Sequence, residues 1–338
     1  YFQTKLYTGN GSSRSITLDG SENMQPDWVW IKSRSNAEPH VAFDSVRGAN
    51  KEIKPDANFA ESTRTTGVTS FDSDGFSIGG LGALNENGYT FVAWNWKAGG
   101  SASSNSDGST TTSISANTSS GFSIVSWTGT GSATTLGHGL NSKPEMIFIK
   151  NRDATQNWVV YNSYLSGTEG HKALYLDLNY AETDQTGFFN DTAATSSVFT
   201  VGSNGNTNNS GDDFIAYCFH SVKGYSKIGK WTGNGNADGP FVYTGFRPAW
   251  ILRKEIPNAD VWIINDTKRN PINNESIVPL YPHLSNSEPS GVNFDFLSNG
   301  FKIRNSDGDS NTLNATFIYM AFAESPFVNS NGVPNNAK

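Results

Sequence analysis

The sequence predicts an all-β protein made of three tandem antiparallel β-sandwich domains of jelly-roll-like kind, and three observations predict it. A tyrosine or tryptophan followed by Thr-Gly-X-Gly opens three segments, as Tyr7-Thr8-Gly9-Asn10-Gly11, Trp127-Thr128-Gly129-Thr130-Gly131 and Trp231-Thr232-Gly233-Asn234-Gly235. Each is followed by a proline-led apolar run, Pro26-Asp27-Trp28-Val29-Trp30-Ile31-Lys32, Pro144-Glu145-Met146-Ile147-Phe148-Ile149-Lys150 and Pro248-Ala249-Trp250-Ile251-Leu252-Arg253-Lys254. Each segment then closes on a second run, Phe91-Val92-Ala93-Trp94-Asn95-Trp96, Phe214-Ile215-Ala216-Tyr217-Cys218-Phe219 and Phe317-Ile318-Tyr319-Met320-Ala321-Phe322. Landmarks in a fixed order mark a repeat. The composition agrees: 12% aromatic residues with only 16% charged, amid abundant Gly, Ser, Thr and Asn, favours strands and turns over helices.

The predicted organisation is a first sandwich over 1–98, a Gly/Ser/Thr-rich linker over 99–120, sandwiches over 121–224 and 225–328, and a tail over 329–338. Within the first segment, strands are predicted at Lys5 to Thr8, Ser15 to Leu18, Trp28 to Ser33, Val41 to Ser45 and Glu52 to Lys54. Further strands are predicted at Gly67 to Phe71, Phe76 to Ile78 and Thr90 to Lys97. Asn58 to Arg64 and the matching Ala181 to Thr186 are predicted to hold single helical turns. Asp74-Gly75 and Asn299-Gly300 punctuate hairpins because glycine takes the positive φ of a type I′ turn; the middle segment lacks this glycine and needs another turn. In the linker, Thr112 to Ala116 is predicted to form an edge strand. The short connection His220 to Ile228 predicts a tighter junction between the second and third sandwiches than between the first and second.

The proline-led and closing runs are apolar at nearly every position, the pattern of a strand covered on both faces. Loops of the same segment, the next segment or a neighbouring subunit are the available covers.

Composition also excludes function classes. A net charge of −7 without a basic block argues against nucleic acid as a partner. One cysteine, Cys218, rules out an internal disulfide framework and reads as a buried, inert thiol within a strand. No run is long and apolar enough for a membrane-spanning helix, and Tyr1-Phe2-Gln3 does not resemble a signal peptide; the absence of an initiator Met suggests a processed product or part of a longer chain.

No catalytic constellation emerges. The histidines His40, His138, His171, His220 and His283 lack metal-ligand spacing, and hydrolase and zinc motifs are absent. Asp72 with Asp74, and Asp212 with Asp213, are the carboxylate pairs that a glycosidase would need, but turn chemistry already accounts for both. Asn305, Asp307, Asp309 and Asn311 alternate oxygen ligands as in part of a calcium loop, without the closing Glu, so Ca2+ is the one cofactor to test; a solvated turn is the simpler reading. Gly9-Asn10-Gly11 and its echoes lack the following helix and lysine of a phosphate loop and read as turns. The tryptophans on strands, including Trp28, Trp30, Trp94 and Trp96, are expected in the core, leaving Tyr164, Tyr180 and Tyr281, in loop-like contexts, as candidate saccharide-stacking residues.

Tyr7 to Gly11, Gln25 to Lys32, Phe71-Asp72-Ser73-Asp74-Gly75-Phe76, Phe91 to Ala98, Gly239-Pro240-Phe241-Val242-Tyr243-Thr244-Gly245-Phe246 and Phe317 to Phe327 resemble a family of uncharacterised repeat proteins encoded by marine bacteriophages, over nearly the whole chain. The resemblance implies a non-enzymatic virion structural protein, assembled in the host cytoplasm and exposed on the particle. A tail fibre or appendage is the expected role, a homotrimer joined to other virion proteins that binds host surface polysaccharide multivalently. A capsid decoration or capsid-fibre protein, a secreted adhesin or lectin, and a polysaccharide depolymerase are the alternative expectations.

Overall fold

Strands apolar at every position need two cores, and the computed structural model has two for each of them. The structure describes residues 1–271, 273, 277–291 and 294–323. The motif residues Glu324 to Phe327 and the tail 329–338 lie outside the described residues. The chain is nearly all β, with several antiparallel sheets; the helices among the described residues are single turns.

Each segment contributes the same inner strand arrangement. The opening strand (Phe2–Thr8, Phe122–Thr128, Ser226–Thr232) pairs with the closing strand (Thr90–Trp96, Asp213–Phe219, Thr316–Phe322). The closing strand also pairs with the proline-led strand (Trp28–Ser33, Met146–Asn151, Trp250–Glu255), which pairs with its hairpin partner (Val41–Asp44, Val159–Asn162, Trp262–Asp266). A small outer sheet covers each: Arg14–Thr17 with Gly75–Ile78 and Val68–Asp72, then Thr134–Gly137 with Val198–Val201, then Phe241–Tyr243 with Gly300–Ile303 and Phe294–Leu297.

Side chains alternate across a strand, so each inner sheet feeds two cores. In the first segment Val29, Ile31, Phe91 and Ala93 face the outer sheet, with Ile16, Phe76 and Ile78. Trp28, Trp30, Trp94 and Trp96 point the other way, into one core that also takes Met146, Phe148, Tyr217 and Phe219 from the middle segment and Trp250, Leu252, Met320 and Phe322 from the last. The rings interlock across segments: Trp28 stacks on Tyr217 at 4.3 Å between centroids, Trp96 meets Trp250 edge-on at 5.4 Å, and Phe219 meets Phe322 at 5.8 Å. The second face of each apolar strand is thus covered by the other two segments of the same chain. The strand tryptophans expected in the core are there.

Hydrogen bonds close the arrangement into a ring. Trp158 Nε1 donates to Lys54 O at 2.8 Å and Trp262 Nε1 to Tyr175 O at 2.7 Å. At the matching position the first segment carries His40. Its Nδ1 accepts from Trp30 Nε1, so Nε2 carries the proton, and it faces Tyr281 O at 3.1 Å. A second set joins the same three junctions with donor and acceptor exchanged between segments, from Glu61 N to Arg152 O (2.7 Å), Glu182 N to Ile256 O (2.8 Å) and Glu288 N to Arg34 O (2.9 Å).

The stretch 99–120, expected as a linker, contains strands Ser103–Asn105 and Thr112–Asn117. Thr112–Asn117 pairs with the middle opening strand, extending the edge-strand expectation for Thr112 to Ala116. Asp27 Oδ2 accepts from Gly100 N at 3.3 Å, Asn117 Nδ2 donates to Ala98 O at 3.3 Å and Ser120 Oγ to Lys97 O at 3.1 Å, so the first segment is bound to this stretch rather than tethered by it. The middle segment, lacking the hairpin glycine, turns on Thr195, whose Oγ1 accepts from Val198 N at 3.0 Å. The expected turn at Asn58 to Arg64 is instead extended, with strand Ser62–Thr63, while Thr186–Phe189 forms a helical turn just after the expected place.

Candidate functional site

Several repeated polar residues are scaffold. Asn85, Asn208 and Asn311, each ending a helical turn, are fully buried and lock the Thr-Gly-X-Gly turns. Asn85 Oδ1 accepts from Asn10 N, while its Nδ2 donates to Asn10 Oδ1, Ser12 O and Gly79 O. Asn208 does the same with Thr130, Ser132 and Gly202, and Asn311 with Asn234, Asn236 and Asn305. Lys32, Lys150 and Lys254 are also buried, each capping backbone carbonyls, and burial lowers each to about 8. The sequence carries a signal for both sets, since each Lys stands six residues after the proline of its run and each Asn six before the first Phe of its closing run. Sequence reading missed it because Asn and Lys are so common on surfaces.

The calcium candidates belong to this scaffold. Asn311 spends its amide on the opening turn of the last segment, Asn305 O accepts from it, Asp307 O caps Ser310 N and Asn311 N, and Asp309 O accepts from Arg253 Nη1. Among the described residues no group of three or more His, Cys, Asp or Glu is placed to hold a metal. Asp72 accepts from Ser70 and Ser77, Asp74 from Met24 N, Asp212 from Asn151 and Asn209, and Asp213 from Thr128, as turn residues do.

The three candidate tyrosines do not converge. Tyr180 is 52% exposed, edge-on to Tyr175, and at its matching place the first segment exposes Phe59. Tyr281 is half-buried where its carbonyl faces His40. Tyr164 lines an open cleft of about 350 Å³ between the middle and last segments.

That cleft is built from the strand pattern of the last segment. Its walls are Lys227, Gly229, Lys230 and Trp231 of the opening strand, Tyr319 of the closing strand and Phe241, Val242 and Tyr243 of the outer edge strand. Alternation turns Val242 into the core and leaves Phe241 46% and Tyr243 65% exposed. Gly229 sits opposite Tyr319 in register, and a Cβ there would come within 2.8 Å of the phenol oxygen, so the ring lies over the glycine. Trp231 stacks on Phe317 at 4.8 Å, and its Nε1 is buried without a hydrogen-bond partner. Tyr164 Oη donates to Glu145 Oε1 at 3.2 Å; burial, reinforced by Glu145, raises this phenol to about 12, so it stays a neutral donor.

Rings beside phenol and ammonium groups can stack on the C–H faces of a sugar while donating to its oxygens. The signal for this site was the pair of aromatics two apart at Phe241 and Tyr243, with an inward valine between them. The matching place in the middle segment is different: Trp127 there lies in a cleft of about 380 Å³ among Ser103, Ser104, Thr112, Ser113 and Asp213. In the first segment the Arg14 guanidinium lies over the Tyr7 ring at 5.7 Å.

The chain belongs to the family described as a domain of unknown function, DUF7483, whose model matches residues 1–326. No curated protein matches it.

Proposed function

We propose that the chain is a non-enzymatic saccharide-binding structural protein of a bacteriophage particle, a tail fibre or appendage subunit that contacts host surface glycans through the cleft at Tyr243. The observation that carries this reading is the cleft itself, whose lining brings exposed rings at Phe241 and Tyr243 together with Tyr164. The motif resemblance to marine-phage repeat proteins supports the particle context. In this reading the chain is three copies of one β-sandwich unit fused into a ring. Three segments of one chain close on a shared core, and multivalency comes from the copies on a particle, a homotrimer of the chain among them.

The test is titration of the protein with oligosaccharides from host surface polysaccharide. Binding should be lost in Tyr243→Ala and Phe241→Ala, with an unchanged circular dichroism spectrum, and no reducing ends should be released. Binding that persists in both variants, or release of reducing ends, would overturn the reading.

A further inference from the structure

We propose that the cleft at Tyr243 selects an anionic saccharide, one carrying carboxylate or sulfate groups; this rests on the saccharide reading above and names its ligand class. Lys227 and Lys230 both line the cleft, one half-buried and one exposed. Neither joins an ion pair among the described residues, a property they share with Lys97 and Lys223, whereas Lys5, Lys51, Lys54, Lys143, Lys172, Lys268 and Lys302 each do. The carboxylate nearest in the structure's bonding, Glu145, is already engaged, with Oε1 accepting from Tyr164 and Oε2 from Ser221 N at 2.7 Å. Two lysines that join no ion pair among the described residues therefore line the same cleft as the rings, on a protein whose net charge is −7. A neutral sugar would use the rings and leave the cations idle. A uronate or sulfated sugar would place its anion on them at the cleft rim, where the attraction is real but screened by salt.

The middle segment supplies an internal contrast. At positions matching Lys227 and Lys230 it carries Ser123 and Ser126, and its cleft includes the carboxylate of Asp213. Of these two copies, the cationic, aromatic cleft belongs to the last segment.

The experiment uses the full chain with three probes: an oligogalacturonate, a sulfated galactan oligosaccharide and maltohexaose as the neutral control. Calorimetry should give at least one anionic probe an affinity tenfold or more above maltohexaose at low salt, with most of that advantage gone in 0.5 M NaCl. The Lys227→Gln/Lys230→Gln double variant should lose the same advantage and leave maltohexaose unaffected. Tyr243→Ala should weaken every probe that binds. Which anionic probe binds distinguishes carboxylate from sulfate. Equal binding of neutral and anionic probes, or an unchanged double variant, overturns the charge selection while leaving the saccharide reading intact; no binding of any probe sinks both. A concentration-dependent dimer abolished by Tyr243→Ala would place a second copy of the chain in the cleft, and that too overturns the assignment.

Discussion

Tyr217 Oη donates to Asp44 Oδ2 at 2.6 Å, joining the closing strand of the middle segment to the hairpin of the first; Asp44 is paired in turn with Arg47 at 2.5 Å, both side chains fully buried. The last segment repeats the motif: Trp94 Nε1 donates to Asp266 Oδ2 at 3.1 Å, and Arg269 pairs with the same acid at 2.6 Å. At the third junction the closing-strand residue in matching register is Met320, which has no proton to donate, and the middle segment carries Asn162 and Leu165 in place of the acid and the arginine. Donor, acid and cation change together because a buried carboxylate that loses its partners is costly, whereas a neutral replacement of the whole set is not.

Substitutions in the first segment should therefore be strongly non-additive. Asp44→Asn alone leaves the Arg47 guanidinium under-compensated and should cost about 3–5 kcal/mol, while Asp44→Asn/Arg47→Leu, copying the middle segment, should cost clearly less than the sum of the two single changes. Urea unfolding of the four proteins measures this. Additive costs would contradict the account.

Each buried asparagine should matter to its own opening turn. Asn208→Ala removes four hydrogen bonds and leaves Thr130 N and the carbonyls of Ser132 and Gly202 without that partner, for an expected loss of about 2–4 kcal/mol. Asn208→Asp should cost a similar amount, because a carboxylate cannot donate to those carbonyls. Hydrogen exchange at Thr130 should rise most in Asn208→Ala, because the aspartate can still accept from Thr130 N.

Asp177 should make stability fall with rising pH. Burial raises this carboxyl to about 7, and it accepts from Trp158 N at 3.1 Å. The unfolded chain ionises near the ordinary value of about 4, so from about pH 4 to pH 7 the unfolded state loses a proton that the folded state keeps, and a stabilising contribution of about 4 kcal/mol is lost. His138 and His283, which burial lowers to about 4, act in the opposite sense: their contribution is present above the ordinary histidine value and lost as pH falls toward 4. The difference between parent and Asp177→Asn in denaturation midpoint against pH isolates the aspartate. The variant should gain relative to the parent as pH rises across that window.

Cys218 is fully buried, and burial raises its thiol above the usual range. A thiol reagent should label it only as fast as the protein unfolds, and in denaturant at once. Rapid labelling of the native protein would show that the middle segment's own core, where Cys218 packs with Val125, Ile147 and Phe199, opens far more readily than its packing implies.

The repeat, most strand positions, the buried tryptophans and the double coverage of the apolar strands were legible in the sequence, because alternation along a strand is a local property; the short polar strands Ser62–Thr63 and Ser103–Asn105 were not. A strand apolar at every position, such as Trp28 to Ile31, reports that water is excluded from both faces. It does not report what excludes it. The cover turned out to be the other two segments, with Trp28 against Tyr217 and Trp96 against Trp250, contacts far apart in sequence that no local pattern encodes. The same limit governs the cleft. Phe241 and Tyr243 can be read as outward residues of one strand, but only the packing of the middle segment against the last brings Tyr164 beside them with Lys227 and Lys230. Sequence periodicity determined which side chains leave water; the closure of three like sheets on one core determined which of the remaining ones stand together.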